Sequence, residues 1–460
     1  MSTAVAPSRA NSFLTSPLLG LFVRTALPIT ALMAMNGLTT VVDAYFLGAF
    51  VGADALGGVS LVFPITMLMV AAASVVGSGA ASVLARLLGA GRHDDARAAF
   101  TSAHLLAVAV ALMLMLAFAL LGRDICLALA HGRAQLADLG WVYLAILMAG
   151  APLNLIMGLN GDSLRSEGHV GALAMFGAVL TLANIGLDAW LIIGLDLGVV
   201  GSALGTVLAQ ALALAITIVY RARKRTILRL RRPTLAAWRE HSPHILALGV
   251  PPGLSFMGVA LGAAVTLHAL GLWQTEHYAM TVAAFGVVTR LQSFAFLPLV
   301  GLNMATQTIV GNNAGARQWT RVEVGLKMGL SIALGYGLLV EAALLLGRAT
   351  IGRVFIDDPL AAAEVARILP LLFMLFFVSG PSMTIAGYFQ AIGDARRAAV
   401  LGLARTYLFL VPLTYLLAAW LGEIGIWLAT PISSALSLTL AIVLLVVARR
   451  SAGATSSEPA

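Results

Sequence analysis

Thr181-Leu-Ala-Asn184-Ile-Gly-Leu-Asp188-Ala-Trp190 reads as a membrane helix with a polar stripe, and the rest of the chain is read outward from it. On a helix, residues three, four and seven apart share a face, so Thr181, Asn184 and Asp188 line up in a segment otherwise suited to lipid. A turn between Gly194 and Gly198 follows, then a second apolar run carrying Thr206. A carboxylate at mid-membrane costs roughly 2.5 to 3.5 kcal/mol. Protonating an ordinary carboxyl at pH 7 costs roughly 4 kcal/mol. The two costs are close, so water or an arriving cation would switch Asp188 between charged and neutral forms. The residue is therefore read as a coupling-ion site.

Composition supports a membrane setting. Of 460 residues, 60% are hydrophobic and 10% charged, and the mean hydropathy is +0.96; soluble domains carry about 25% charged residues. The net charge of +8 does not point to nucleic acid, because the basic residues cluster in short links between apolar runs, where they act as topology signals. The single cysteine, Cys126, excludes an intramolecular disulfide framework and a cysteine-based metal cluster. No catalytic residues, metal site or cofactor are predicted. The first run is too long for a signal-peptide core, so no cleavage is expected.

Twelve runs are long and apolar enough to span a bilayer: 20–48, 54–84, 98–121, 138–160, 171–193, 199–220, 246–272, 278–308, 322–346, 362–390, 398–421 and 424–448. The second and eighth exceed the bilayer and are expected to tilt or extend beyond it. Prolines in or near spans, including Pro28, Pro152, Pro251, Pro298 and Pro370, mark expected bends. Assigning the links alternately puts about 22 of the 28 Lys and Arg on one side, from Arg9 and Arg24 through Arg165 to Arg405 and Arg450. That side is expected to be cytoplasmic and to hold both termini. Five others fall opposite, and Arg290 remains inside a span.

The predicted fold is an all-α polytopic membrane protein with twelve transmembrane helices in two pseudo-symmetric six-helix lobes around a central cavity. A disordered tail (1–18) precedes the N-terminal lobe (19–220), a basic linker (221–244) leads to the C-terminal lobe (245–448), and a second tail (449–460) ends the chain. The halves echo each other: Leu88-Gly89-Ala90-Gly91-Arg92 after the second span matches Ala314-Gly315-Ala316-Arg317 after the eighth. Six spans per half give both halves the same orientation, the plan of an alternating-access transporter.

Asn36, Thr39, Thr40 and Asp43 share a face of the first span. Asp43, Asp188 and Thr206 all lie roughly 7 to 11 Å below the outer boundary. If the helices converge, two carboxyls with amide and hydroxyl partners form a site able to share protons or hold a small cation. The plainer reading is that polar groups near span ends reach the interface; two acids together favour an ion path. Thr206 alone is also explained by a bond to its own helix. Arg290 either lines the cavity or snorkels. His104 and His268 are read as packing residues and Glu341 as interfacial. Asp94, Asp95, Asp357 and Asp358 are read as solvated link residues.

Several stretches resemble the multidrug and toxic compound extrusion (MATE) family. They are Asn184-x-x-x-Asp188 followed by Gly198-x-x-Gly201-Ser202-Ala203-x-x-Thr206, Leu88-Gly89-Ala90-Gly91, Gly387-Tyr388-Phe389-Gln390-Ala391-Ile392-Gly393-Asp394-Ala395-Arg396, and Gly425-Ile426-Trp427-Leu428-Ala429-x-Pro431-Ile432-Ser433. The likeness runs from about Pro17 to Arg450. It implies export driven by inward proton or sodium flow, with Asp43 as the first-helix acid that binds the cation. Asn184, Asp188 and Thr206, with Asn160 as a fourth-helix Asn, match the remaining network. Thr39 stands where that branch often carries Tyr. The seventh and tenth spans hold no acid except Glu364 at the outer margin, so the branch similar to the DNA-damage-inducible exporters is favoured over the sodium-coupled one. These features imply a monomeric, multi-pass inner-membrane exporter of amphipathic or cationic small molecules coupled to protons, with sodium the alternative ion, Pro28 a hinge, and Thr181 and Arg290 supporting the cavity. A flippase for a lipid-linked or polar metabolite is the rival reading. An intramembrane prenyl transferase is disfavoured, since no span carries an Asp-x-x-x-Asp pair.

Overall fold

A computed structural model describes residues 11–224, 226–273, 278–355 and 358–455. The two tail ends, with Arg9, and the linker and loop residues Arg225 and Asp357 lie outside the described residues. Among the described residues, ten helices are long and apolar enough to cross a membrane, and two bent pairs bring the number to twelve. They are α1 (Leu18–Val51), α2 (Phe63–Gly89), α3 (His93–Leu129), α4 (Ala134–Ala149 with Ala151–Ser166), α5 (Val170–Gly194), α6 (Gly198–Arg223), α7 (Leu235–Trp273), α8 (Tyr278–Gly315), α9 (Trp319–Phe355), α10 (Pro359–Phe373 with Phe376–Ile392), α11 (Ala395–Leu421) and α12 (Glu423–Arg450). Helices α1–α6 form one lobe and α7–α12 the other, around a central cavity. Large apolar side chains stand exposed along the outer faces, such as Leu112 (55%), Leu116 (61%) and Leu120 (69%) on α3. Only lipid makes such a surface stable, because the helix satisfies its own backbone groups there.

Four expectations are corrected. The second run divides into a short helix, Ala53–Leu61, and α2, so its excess length is a separate element. Helix α4 bends by 53° at Gly150, next to Pro152 as expected, whereas the 42° bend of α10 falls beyond Pro370, between Phe373 and Phe376. In α10 the break carries Leu375 at φ 67°. Glu341 is no interfacial residue: it accepts from the backbone N–H groups of Leu375 and Phe377, both at 3.2 Å, which the break leaves without helical partners. The linker is shorter than 221–244, since α6 continues through Arg223 and α7 starts at Leu235. Arg221 is accordingly inside the protein: it pairs with Glu167 at 2.8 Å, and its guanidinium carbon lies 5.1 Å from the Phe100 ring centroid. Pro28 sits within α1 without ending it.

Among the described residues, the side-chain hydrogen bonds that join the lobes lie at the end carrying the basic links. Arg165, 1% exposed, reaches from α4 to α8, donating to Met304 O and Thr308 Oγ1 at 2.7 Å and to Gln307 Oε1 at 3.2 Å. Its fourth partner is Asp162 at 2.8 Å. Arg86 of α2 donates to the Ala391 carbonyl at 3.1 Å, and Gln390 donates to Ser78 Oγ at 2.8 Å. Where α2 crosses α7, glycine is required: a methyl group on Gly249 would enter the backbone of Val75, and one on Gly79 the backbone of Ile245. Small residues let membrane helices approach this closely, and the gain is dispersion. The lobes are thus sealed at the basic end.

Candidate functional site

The polar stripe of α5 turns inward. Thr181 (2% exposed), Asn184 (2%) and Asp188 (0%) are all buried in the N-terminal lobe. Immediately after Asp188 the helix widens into a π-helical turn, Ala189–Gly194, a feature that recurs at functional sites. Helix α1 lies against this face, and the Thr39 hydroxyl donates to Thr181 Oγ1 at 3.2 Å. One turn further, the carboxyls of Asp43 on α1 and Asp188 on α5 face each other, close enough to interact electrostatically. From α6, Thr206 Oγ1 accepts from Asn184 Nδ2 at 3.4 Å and donates to the Ser202 carbonyl at 3.2 Å.

These groups leave a distinctive set of atoms. Oδ1 of Asp43, Oδ1 of Asn184, both carboxyl oxygens of Asp188 and Oγ of Ser202 are buried with no hydrogen-bond partner among the described residues. Two facing carboxylates repel, so a proton or a small cation between them would stabilise the pair. A donor set made of oxygens alone suits a proton or a small hard cation. Neither sulfur nor imidazole contributes.

Other candidates fall outside this network. Asn160 does not join it: its side-chain amide reaches His104 Nε2 at 3.1 Å and donates to Ile156 O at 2.9 Å, while its backbone carbonyl accepts from Arg221 at 3.2 Å near the basic end. Its register on α4 turns it toward α3, where it and the Phe100 carbonyl satisfy His104. Asn36 and Thr40 are exposed, and the Thr40 hydroxyl donates to the Asn36 carbonyl at 3.3 Å. Arg290 is exposed too. Glu364 is buried beside Arg367 at 2.6 Å and accepts from Thr281 at 3.0 Å. His268 packs edge-on against Tyr415.

Three site residues escaped the sequence reading. Ser202 stands one turn before Thr206 on α6, so the helical period alone would have found it. Tyr143, 9% exposed on α4, lies beside Ser202 and within electrostatic reach of both acids. It sits in an apolar run with no local signal. Gly205 is the third, because a methyl group there would run into Asp188 Oδ1. If the acid pair drives transport, Gly205→Ala should lower it about tenfold, as overpacking of one or more kcal/mol displaces the carboxyl. Gly186→Ala on α5, where nothing lies within 4 Å, should leave it unchanged. Initial efflux rates of the two variants at equal protein level check the contrast.

Known proteins bear on this arrangement. The MatE family profile matches residues 28–190 and 260–416. A curated relative, the multidrug export protein MepA of Staphylococcus aureus (strain NCTC 8325 / PS 47), is 23% identical over 445 residues, covering 96% of this chain and 97% of its own. Among solved structures, one described as MATE in the straight conformation superposes with a TM-score of 0.87 at 22% identity, covering 98% of this chain and all of its own. Another, described as an outward-facing multidrug resistance MATE transporter, gives 0.87 at 23% identity and covers 98% and 99%. The structural likeness concerns the fold, and the profile covers most of the chain in both lobes. The protein is a multi-pass membrane transporter, not an enzyme, and belongs to the MATE family.

Proposed function

We propose that the protein is a secondary active exporter of amphipathic small molecules, cationic ones among them, which exchanges substrate for protons at the Asp43–Asp188 pair. The observation that carries the reading is that these two carboxyls, brought together from α1 and α5, face each other among buried oxygens with no hydrogen-bond partner among the described residues. When the cavity opposite the basic end is open, water brings protons to the pair. Neutralising it lets α1 and α5 pack more tightly, and substrate leaves as the lobes rock about the seam. Pro28 in α1 is the proposed bending point, since the carbonyl one turn before it lacks its N–H partner. Sodium is the alternative ion, because the same oxygens suit it. The basic end faces the cytoplasm of the cell's inner membrane by its excess of Lys and Arg, and the working unit is a single chain. Export of drugs is the activity named for the MepA relative, and it supports the reading here.

Purified protein in liposomes distinguishes the ions. Uptake of a fluorescent cation should respond to an imposed pH gradient and stay flat under a sodium gradient of equal size. A response to sodium alone overturns proton coupling, and silence under both overturns export. The flippase reading needs several bases facing the cavity to hold a diphosphate, and among the described residues Arg290 and Arg405, the unpaired arginines ten or more residues from either end of their spans, are too few.

A further inference from the structure

Arg405 was counted with the basic links, but it lies inside α11, about 15 Å from the basic end at 1.5 Å per residue. It belongs to a π-helical segment, Ala404–Leu410. That segment is pinned to α7 on its other sides: Gly258 packs on Thr406, Gly262 on Leu410, and Tyr407 donates to Leu254 O at 2.9 Å. Arg405 is thereby aimed across the C-terminal lobe to α8. Its guanidinium carbon stands 5.1 Å from the centroid of the Phe296 ring, which in turn meets Phe376 edge-on at 5.2 Å.

Among the described residues, no carboxylate pairs with Arg405 and no acceptor takes its N–H groups, yet its nitrogens are not among the sealed unpaired atoms. They keep some accessible surface, beside Phe296 of α8. An arginine inside a membrane without a counter-ion is costly and marks a ligand path by default. The facing helix offers more donors. Thr289, Gln292, Ser293 and Phe296 follow the spacing of one helical face; Gln292 is half-buried with no hydrogen-bond partner among the described residues, and Ser293 is exposed. Arg290 lies on another face of α8. Helix α11 holds in its lobe the place that α5 holds in the other, so the two lobes present opposite charge: a carboxyl pair in one, a guanidinium over an aromatic floor in the other.

We propose that Arg405, with Gln292 and the Phe296–Phe376 floor, is a recognition site for the carboxylate of an aromatic substrate. The guanidinium fork takes the two carboxylate oxygens, Gln292 donates from the facing helix, and the substrate ring stacks on Phe296. Resting on the export reading, this assigns the residues of this chain that select for a carboxylate on an aromatic substrate.

The test uses rhodamine 110, an aromatic zwitterion with a free carboxylate, and rhodamine 123, its methyl ester. Binding of each to the full-length protein in nanodiscs is measured by fluorescence anisotropy, and transport in liposomes separately. Arg405→Gln should weaken rhodamine 110 binding by about tenfold or more and leave rhodamine 123 within about twofold. Arg405→Lys, which keeps the charge without the fork, should fall between. Equal loss of both dyes in both variants shows a packing role and overturns the proposal, as does unchanged rhodamine 110 binding in Arg405→Gln or wild-type protein that binds no rhodamine 110. If binding behaves as expected but neither dye is transported, the anion site stands and the export reading falls. If rhodamine 123 is exported while rhodamine 110 is not bound, the export reading stands and the site falls.

Discussion

Asp188→Asn should reduce proton-driven efflux to the level of empty liposomes while the protein remains folded. Asparagine matches aspartate in shape, so the fully buried position keeps its packing against Gly205. What disappears is a titratable carboxyl, and with it the proton that the proposed cycle shares between α1 and α5. Each net charge that no longer moves with substrate forfeits about 2.3 kcal/mol per 100 mV, a roughly fiftyfold loss of accumulated gradient. Asp43→Asn should have the same effect, and the double variant should be no worse than either, because the acids act as a unit. Two readouts separate lost coupling from lost folding. Substrate binding should survive in each variant, and so should energy-independent counterflow. Wild-type pH-driven transport by both single variants would remove the carboxyl pair from the mechanism.

The stripe on α5 was legible because a helix repeats every 3.6 residues and nothing polar belongs in lipid without cause. Thr181, Asn184, Asp188 and Thr206 follow from that rule, and Asp43 from its depth. What escaped was set by neighbours distant in sequence. Asn160 has the right chemistry, but one helical turn decides whether it faces Asp43 or His104, and a bend of 53° earlier in α4 sets the direction. Tyr143 looks like any interior aromatic. Charge was informative as a sum and misleading singly: the excess of Lys and Arg marks one end of the molecule, yet Arg165, Arg221 and Arg405 belong to the interior. A guanidinium at the end of a span looks the same in sequence whether it meets water or a carbonyl of the other lobe. Of the prolines, Pro152 adjoins a break, whereas the break in α10 falls at Leu375 and is held by Glu341. Only the packed structure tells these cases apart.

Arg165→Ala tests the seam on which the proposed exchange cycle depends. In the sealed form its guanidinium holds four acceptors, two of them side chains of α8 and one a carbonyl of the same helix, the fourth being Asp162 on its own helix. Removing one partner of a buried pair leaves the other desolvated, at a cost of about 3 kcal/mol or more. That cost falls on the sealed form alone, because once the basic end opens Asp162 and Gln307 meet water. The ratio of the two forms should therefore move more than a hundredfold toward opening at the basic end. Spin labels placed across that end, on α2 and α8, should report longer distances, and labels across the opposite end shorter ones. A variant that had merely lost stability would lengthen both. Transport should fall as well, since a carrier held open on one side completes few cycles. Arg165→Lys keeps the charge but loses the fork, and should sit between the two. If the alanine variant keeps both label distances of the parent protein, the bonds from Arg165 to α8 do not hold the lobes together, and the crossing of α2 with α7 at Gly79 and Gly249 must do so without them.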